Sequence, residues 1–145
     1  MIRTATLDDV PHMVELTRHY FPRLKNTDAH FDARAFESYA TAFVTSAGET
    51  SVALVSERNG ALAAFVFCVL MPSPLTGEIV AVKCLWEARE DARGHGVKVH
   101  KAAEDWAVSR GVRRFLSSCF DEAAAGLLRR MGFNEIEHIF EKVLA

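Results

Sequence analysis

Two glycines separated by one residue, Gly94 and Gly96, lie where the sequence changes from an apolar run to a helical pattern. Residues 79–86 predict a strand, and apolar positions recurring at helical spacing after the glycines predict a helix. The first amides of a helix lack internal partners and lie at the positive end of its dipole. Glycines let the backbone approach a phosphate closely, and Arg93 and His95 could add donors. This spacing predicts an anion site, and an ordinary strand-to-helix connection is the alternative.

The length and composition fit one ordinary globular domain. The chain has 145 residues, of which 50% are hydrophobic and 25% are charged. We therefore expect one domain over residues 1–145 with a single sizeable core. The formal net charge is −2, which gives no reason to expect non-specific binding to nucleic acid or to a membrane surface.

The cysteines and histidines predict neither disulfides nor a metal site. Cys68, Cys84 and Cys119 are odd in number and widely spaced within apolar runs, so we expect reduced core residues in a cytoplasmic protein. The six histidines show no ligand spacing. Charged residues interrupt the N-terminal segment, and we expect neither a signal peptide nor a transmembrane span.

Periodicity and turn residues predict a mixed α/β fold with the order β-α-α-β-β-β-α-β-α-β. The predicted strands cover residues 2–6, 51–58, 61–71, 79–86, 112–120 and 133–143. The predicted helices cover residues 8–20, 32–46, the segment between the central glycines and Gly111, and residues 122–131. Phe21-Pro22 should end the first helix, and residues 25–30 should form a loop.

Local signals refine these elements. Thr6 is a plausible N-cap, and Pro11 falls in the first helical turn, where proline is tolerated. Asn59-Gly60 predicts a type I′ hairpin turn, which needs positive φ at both central residues. The aromatic and apolar side chains expected in the core are Phe36, Tyr39, Phe43, Val44, Trp106, Phe115, Phe120 and Phe133.

This order of elements, with a glycine turn after the fourth strand, resembles the GNAT family of acetyltransferases. The resemblance covers essentially the whole chain. Its most specific parts are the segments 92–97 (ARGHGV), 104–111 (EDWAVSRG) and 127–133 (LLRRMGF). In arrangement the chain is similar to the small GNAT proteins of phage genomes.

The family motif, Gln/Arg-x-x-Gly-x-Gly/Ala, fits the sequence in two registers. One begins at Arg93, keeps Gly96 and puts Lys98 at the last small position. The other begins at Asp91 and keeps both Gly94 and Gly96. We favour the second, although a carboxylate then stands where the family carries Gln or Arg. A carboxylate near a pyrophosphate is repulsive unless a neighbouring arginine compensates.

The resemblance implies a V-shaped gap between the fourth strand and the strand predicted over residues 112–120. The pantetheine of acetyl-CoA would lie in that gap and pair with backbone groups of Cys84, Leu85 and Trp86. The turn of residues 92–97, which comprises Ala92, Arg93, Gly94, His95, Gly96 and Val97, would hold the pyrophosphate through its amides.

Two positions depart from what the family implies for catalysis. Many members protonate the leaving thiolate with a tyrosine four residues before the Gly-Phe pair, and that position is Leu128 here. The asparagine seven residues earlier in the family pattern is Asp121. Water or another side chain would have to supply the proton. Losing a general acid typically costs on the order of a hundred-fold or more in rate, yet it need not abolish transfer.

Glu87, at the end of the fourth strand, is the candidate general base for the amine, directly or through water. A surface residue at a strand end is the alternative interpretation. If side chains alternate strictly along this strand, Lys83, Leu85 and Glu87 could all face the cleft that would hold the acceptor amine. Cys119 could approach the thioester, or it could be a buried, inert thiol.

These residues support two functions. The first is an acetyl-CoA-dependent N-acetyltransferase acting on a primary amine of a small molecule or protein. The second is a catalytically degenerate GNAT-fold protein that binds CoA or a protein partner, an alternative that Asp91 and Leu128 favour. An unrelated α/β binding module would follow if the element order were wrong. Relatives commonly dimerise, so a homodimer is a possible assembly.

Overall fold

The computed structural model describes residues 1–21 and 29–145, and within them five strands form one mixed sheet. The strands are β1 (Ile2–Thr4), β2 (Ser51–Arg58), β3 (Ala61–Pro72), β4 (Ile79–Ala88) and β5 (Phe115–Leu116). The α-helices are α1 (Val10–Tyr20), α2 (Ala33–Ser46), α3 (His95–Ser109) and α4 (Glu122–Arg130). The sheet order follows the chain, with antiparallel pairs except for the parallel pair β4–β5. The predicted mixed α/β class is confirmed.

The start of α1 is tied to the sheet by a charged cluster. Thr6 is the N-cap of a short 3-10 turn, Leu7–Asp9, that leads into α1. The Asp9 carboxylate accepts from the Thr6 amide at 2.7 Å and from two nitrogens of Arg3 at 2.8 Å. Arg3 also donates to Glu57 on β2 at 2.9 Å. The predicted cap is thus present, and the arginine holds the pKa of Asp9 below its usual range.

The β2–β3 hairpin forms as the sequence predicts. Asn59 has φ 54° and Gly60 has φ 77°, so both central residues of the turn are left-handed. Only a primed turn matches the right-handed twist of two strands joined by two residues.

The two faces of the sheet are packed differently. Helices α1 and α2 cover one face, where Phe43 stacks on Phe67 with ring centroids 4.7 Å apart. Helix α3 covers the other face through small residues, including Ala103 and Ala107 against Ala81. Small side chains let α3 approach β4 closely, and this closeness positions the turn between them.

Several predictions fail toward the C-terminus. The strand predicted over residues 112–120 pairs only at Phe115–Leu116, and residues 133–143 form neither strand nor helix. Phe120, expected in the core, is 74% exposed, and Tyr39 is also exposed. Apolar periodicity signals a strand, but a strand also needs a neighbour with free backbone groups.

The remaining boundaries are close to those predicted. Helix α3 begins at His95, earlier than expected, and Phe36 and Val44 on α2 are only partly buried. Phe21 is described, whereas Pro22 and most of the predicted loop over residues 25–30 lie outside the described residues.

Candidate functional site

A turn between β4 and α3 presents unused backbone amides. Gly94 is the N-cap of α3 and adopts φ 85°, a left-handed conformation that favours glycine. The amides of Arg93, Gly94, Gly96 and Val97 have no hydrogen-bond partner among the described residues. The His95 amide is already used, because it donates to the Ala92 carbonyl at 3.2 Å. Four free amides at a helix N-terminus form an anion-binding concavity.

Close packing, rather than the dihedral angles, favours glycine at position 96. A Cβ added there would lie 3.0 Å from the Cβ of Ala88. The indole Nε1 of Trp86 donates to the Gly96 carbonyl at 2.9 Å and joins β4 to the first turn of α3. Both glycines therefore have a structural role, and the choice between the two registers stays a prediction from the sequence.

The His95 ring is turned away from the open side of this turn. Its Nδ1 lies 2.6 Å from the hydroxyl of Ser56, a buried residue of β2. Burial lowers the pKa of His95 below its ordinary value, with a further contribution from nearby Lys98. The imidazole is therefore neutral near pH 7, and its Nδ1 is engaged in the hydrogen bond with Ser56 of the sheet.

The carboxylate of Asp91 is balanced by arginines. Arg89 donates to it through Nη2 at 2.7 Å and Nε at 3.0 Å. Arg58 donates to the Asp91 carbonyl. Arg89 lowers the pKa of Asp91, so the carboxylate is ionised at neutral pH but paired. The repulsion expected from the sequence is thus reduced by Arg89.

The sheet opens beside β4, as the resemblance implies. Strands β4 and β5 pair only at Ala81–Phe115 and Val82–Leu116, while β4 continues to Ala88. Cys84, Leu85 and Trp86 lie on this continuation, where no described strand pairs with the side of β4 that faces the gap. A polar extended molecule could hydrogen-bond along that edge.

A β-bulge in β4 breaks the expected alternation. Phe67 pairs with Leu85 whereas Cys68 pairs with Lys83, so Cys84 is the extra residue. Lys83 consequently does not share a face with Leu85 and Glu87, and the prediction that all three face one cleft is wrong. Glu87 lies opposite Phe65, whose ring belongs to the core under α1 and α2.

Lys83 instead reaches across the gap. Its side chain is buried, and its Nζ donates to the carbonyl of Ser118, beyond the end of β5. Burial lowers the pKa of Lys83, while the nearby Cys119 and Glu87 act in the opposite direction. Cys119 itself is exposed, so the expectation of a buried thiol is wrong there and correct for Cys68.

His100 is a buried polar residue that the sequence did not single out. Its Nδ1 lies 2.9 Å from Glu104 and its Nε2 lies 3.0 Å from the hydroxyl of Ser117. The ring also packs edge-on against Trp86, with centroids 4.6 Å apart. Burial, reinforced by Lys83, lowers the pKa of His100 to about 4. A neutral imidazole therefore joins α3 to the residues after β5 and helps hold the gap at its observed width.

The two residues that depart from the family pattern have structural roles. Leu128 is buried and supplies no proton. Asp121 is the N-cap of α4 and accepts from the Ala124 amide at 2.7 Å. The Tyr20 hydroxyl donates to the same carboxylate at 3.0 Å, which joins the end of α1 to α4. No sequence spacing indicates a contact across a hundred residues.

A cleft of about 480 Å³ lies between α1, the first residues of β3 and the last residue of β4. Ala88 and Arg89, the residues that follow Glu87, form part of its wall. Glu15, Glu90 and Asp91 supply three carboxylates to it, and Arg89, which pairs with Asp91, supplies one guanidinium, so the wall carries more negative than positive charge.

The described residues contain neither a metal-binding cluster nor a membrane-spanning helix. Across residues 1–21 and 29–145, no group of three or more potential ligands is arranged to hold a metal ion. No helix in that part of the chain is long and apolar enough to cross a membrane.

Solved structures share this fold along the whole chain. A mutant of the BH1408 protein from Bacillus halodurans has a TM-score of 0.80 at 19% identity, with 100% of this chain and 99% of that chain covered. Glucosamine-6-phosphate N-acetyltransferase from Arabidopsis thaliana has a TM-score of 0.74 at 18% identity, with 100% and 98% covered. A predicted acetyltransferase with acetyl-CoA from Clostridium acetobutylicum has a TM-score of 0.76 at 14% identity, with 99% and 96% covered. These identities establish the fold alone.

The amino-acid sequence itself identifies the protein family. The profile of the acetyltransferase (GNAT) family matches residues 10–133, which is most of the chain. The protein therefore belongs to the GNAT acetyltransferase family. No curated protein matches the sequence.

Proposed function

We propose that this protein is an acetyl-CoA-dependent N-acetyltransferase that acetylates a primary amine of a small molecule or a protein. The observation that carries the proposal is the set of four free amides around Gly94, next to the open edge of β4. A diphosphate and a peptide-like arm joined together match those two features, and coenzyme A has both.

The residues present fit this coenzyme. The amides of Arg93, Gly94, Gly96 and Val97 would hold the pyrophosphate, with Ala92 and His95 shaping the turn. Backbone groups from Cys84 to Trp86 would hold the pantetheine arm. When bound, acetyl-CoA supplies the thioester that the amine attacks. Main-chain recognition of this kind tolerates the departures in side chains that the sequence shows.

Glu87 is the proposed general base. It lies at the end of β4, next to the wall of the acidic cleft, and a carboxylate there can accept a proton from an ammonium group directly or through water. Removing that proton leaves an uncharged amine with a free electron pair. The phenol of Tyr20 and the ammonium of Lys83 are candidate proton donors near the gap in place of Leu128.

The negative charge of the cleft wall favours one kind of acceptor. Glu15 and Glu90 attract cations, whereas Asp91 is balanced by Arg89, so an amine that carries positive charge fits the cleft better than an acidic acceptor. We infer a cytoplasmic protein without nucleic-acid or membrane partners, as expected from the composition. The similarity to small phage members stays a prediction from the sequence.

The first experiment tests coenzyme binding. The melting temperature should rise with acetyl-CoA, because a ligand at one hundred times its Kd adds about 2.7 kcal/mol to the free energy of unfolding. The absence of any rise at millimolar acetyl-CoA would refute the proposal.

The second experiment tests transfer. Thiol release should be measured across a panel of amines, with Glu87→Gln as the test variant and Glu37→Gln, on the exposed side of α2, as its control. We expect Glu87→Gln to lower kcat by on the order of a hundred-fold and to flatten its pH profile, with acetyl-CoA binding unchanged. Equal rates in the two variants would remove Glu87 from the mechanism.

The buried Leu128 favours a second candidate, a degenerate family member that binds CoA without catalysing transfer. That protein would show the rise in melting temperature but no amine-dependent thiol release from any amine in the panel.

A further inference from the structure

Lys83 lies at the closed end of the gap beside β4. Val82 and Leu116 form the last pair between β4 and β5, and Lys83 is the next residue along β4. Its side chain is buried, and its Nζ donates to the carbonyl of Ser118 on the other side of the gap. The amino group of Lys83 thus spans the gap at the point where the two strands separate.

The reactive end of the coenzyme would lie at this point, so the inference rests on the proposed function. The amides that would hold the pyrophosphate follow β4, and the backbone groups that would hold the arm run back along the strand from Trp86 to Cys84. An arm laid in that direction ends beside Cys84, next to Lys83. The sulfur of the thioester belongs to that end of the arm.

Lys83 has more hydrogens to donate than its bond across the gap requires. An ammonium carries three N–H donors, and the bond to Ser118 accounts for one of them. The Tyr20 hydroxyl has a single hydrogen, which it already donates to Asp121 at 3.0 Å. Lys83 is therefore the better placed of the two candidate proton donors.

The groups around Lys83 leave its proton transferable. Burial lowers the pKa of Lys83, and the facing groups Cys84, Glu87 and Cys119 oppose that shift without cancelling it. His100 on α3 is also close enough for the charge of Lys83 to lower the pKa of the imidazole. An ammonium whose pKa lies below that of an ordinary lysine is closer to a thiol in acid strength, so it transfers a proton to a thiolate more readily.

We propose that Lys83 is the general acid of the transfer reaction and donates a proton from Nζ to the thiolate that leaves when the amine attacks the thioester. The C–N bond forms and the C–S bond breaks, and the electron pair of the broken bond stays on sulfur, where it accepts the proton. Glu87 takes the proton that the amine loses. Afterwards Lys83 regains a proton from water and Glu87 releases one. Lys83 thus supplies the proton that Leu128 cannot.

Three variants separate the proton of Lys83 from its charge. Lys83→Met removes both and keeps a long, flexible side chain in the buried position. Lys83→Arg keeps the charge and the donors, but a guanidinium does not release its proton in the working pH range. Lys101→Met is the matched control, because Lys101 is exposed on α3.

The first readout is the pKa of the thiol of bound coenzyme A, which does not depend on transfer. It is measured from thiolate absorbance, and a titration with desulfo-coenzyme A subtracts the protein's own cysteines. Wild type and Lys101→Met should lower this pKa by about one unit or more relative to the free coenzyme, because a nearby cation stabilises a thiolate. Lys83→Arg should keep most of the lowering, and Lys83→Met should lose it. The same thiol pKa in wild type and Lys83→Met would overturn the proposal.

The second readout is transfer. In both Lys83→Met and Lys83→Arg, kcat should fall by on the order of a hundred-fold, with KM for acetyl-CoA nearly unchanged. In wild type, kcat should decline as the pH rises through the pKa of Lys83, and neither variant should show that decline. Full kcat in Lys83→Arg would overturn the role as an acid, even if Lys83→Met does not fold. An acetyl group found on Lys83 by mass spectrometry would also overturn it, because Lys83 would then be a nucleophile.

Calorimetry with coenzyme A distinguishes this proposal from the proposed function. If wild type does not bind the coenzyme, both are refuted. If wild type binds it but transfers to no amine, the acid role is refuted and the degenerate family member is favoured. If wild type binds and transfers, and Lys83→Met leaves the thiol pKa and kcat unchanged, only the role of Lys83 is refuted.

Discussion

Strand β3 and residues 134–145 are both rich in apolar residues, but β3 is largely buried whereas residues 134–145 are exposed. Strand β3 pairs on both sides, with β2 and β4, and residues 63–68 are buried in succession. Residues 134–145 include comparable apolar side chains, but no described strand pairs with their backbone, and each of these residues is exposed.

The same contrast extends over the molecule. In a packed part, made of β1–β3 with α1 and α2, buried groups find partners within the chain. In an open part, made of the turn of residues 91–97, the gap beside β4, strand β5 and residues 134–145, backbone amides and apolar side chains have fewer partners among the described residues. Substitutions in the packed part should therefore cost stability, whereas substitutions in the open part should mainly change binding.

The largest expected effect tests the packed part. Phe67 is fully buried and stacked on Phe43, so Phe67→Ala should lower the free energy of unfolding by about 3–5 kcal/mol through lost burial and a cavity. Phe120→Ala, the matched change at an exposed residue, should cost less than about 0.5 kcal/mol. Urea denaturation of both variants measures the difference. Equal losses of unfolding free energy in the two variants would mean that the packed part contributes no more to stability than the open part.

The border between the two parts should be sensitive to acid. The pKa of His100 is about 4 in the folded protein, against about 6.5 in an unfolded chain. As the pH falls, the unfolded state therefore binds the proton first. The contribution of His100 to the free energy of unfolding is complete above pH 6.5 and is lost as the pH falls toward 4. The full loss is about 3 kcal/mol.

The same denaturation series in His100→Gln isolates this contribution. Glu104 and Lys83 also face the ring, and both remain in that variant. A slope between pH 6.5 and 4 that is the same in the two proteins would contradict the assignment to His100.

Gly94→Ala should affect both stability and binding. Alanine at φ 85° is strained by about 1–2 kcal/mol, although the space around the added Cβ is open. Relaxation of that strain would move the free amides, so acetyl-CoA affinity should fall by about ten-fold. Gly48→Ala is the control, because its φ is not left-handed and its nearest neighbour is 3.9 Å away. Calorimetry that gives wild-type affinity for Gly94→Ala would mean that the turn is not the binding site.

The smallest expected effect is a gain. Asp91→Gln removes a carboxylate beside the proposed pyrophosphate and releases Arg89, so acetyl-CoA should bind about two- to five-fold more tightly. Asp105→Asn, which removes an exposed carboxylate on α3, should leave the Kd unchanged. The gain should shrink as salt is added. Weaker or unchanged binding would show that Asp91 lies away from the phosphates.

The sequence predicted the parts of the fold that depend on neighbours along the chain. The Thr6 cap, the Asn59-Gly60 turn and the central glycines each need only a local conformation, which residue type controls directly. The opening between β4 and β5 followed from the family resemblance.

What the sequence did not reveal depends on distant contacts. The bulge at Cys84 exists because of the register with β3, and it overturned the shared face predicted for Lys83 and Glu87. His100 gains its role from Ser117, and Tyr20 gains its role from Asp121. The strand predicted over residues 133–143 failed because a strand needs a neighbouring strand, and periodicity contains no information about one.

An amide NMR titration with coenzyme A tests the proposed pyrophosphate site at the level of single residues. We expect the amide resonances of Arg93, Gly94, Gly96 and Val97 to shift most, because their hydrogens become donors to the pyrophosphate. Resonances of the β2–β3 turn should stay in place. Shifts confined to other regions, or no shifts at millimolar coenzyme A, would contradict it.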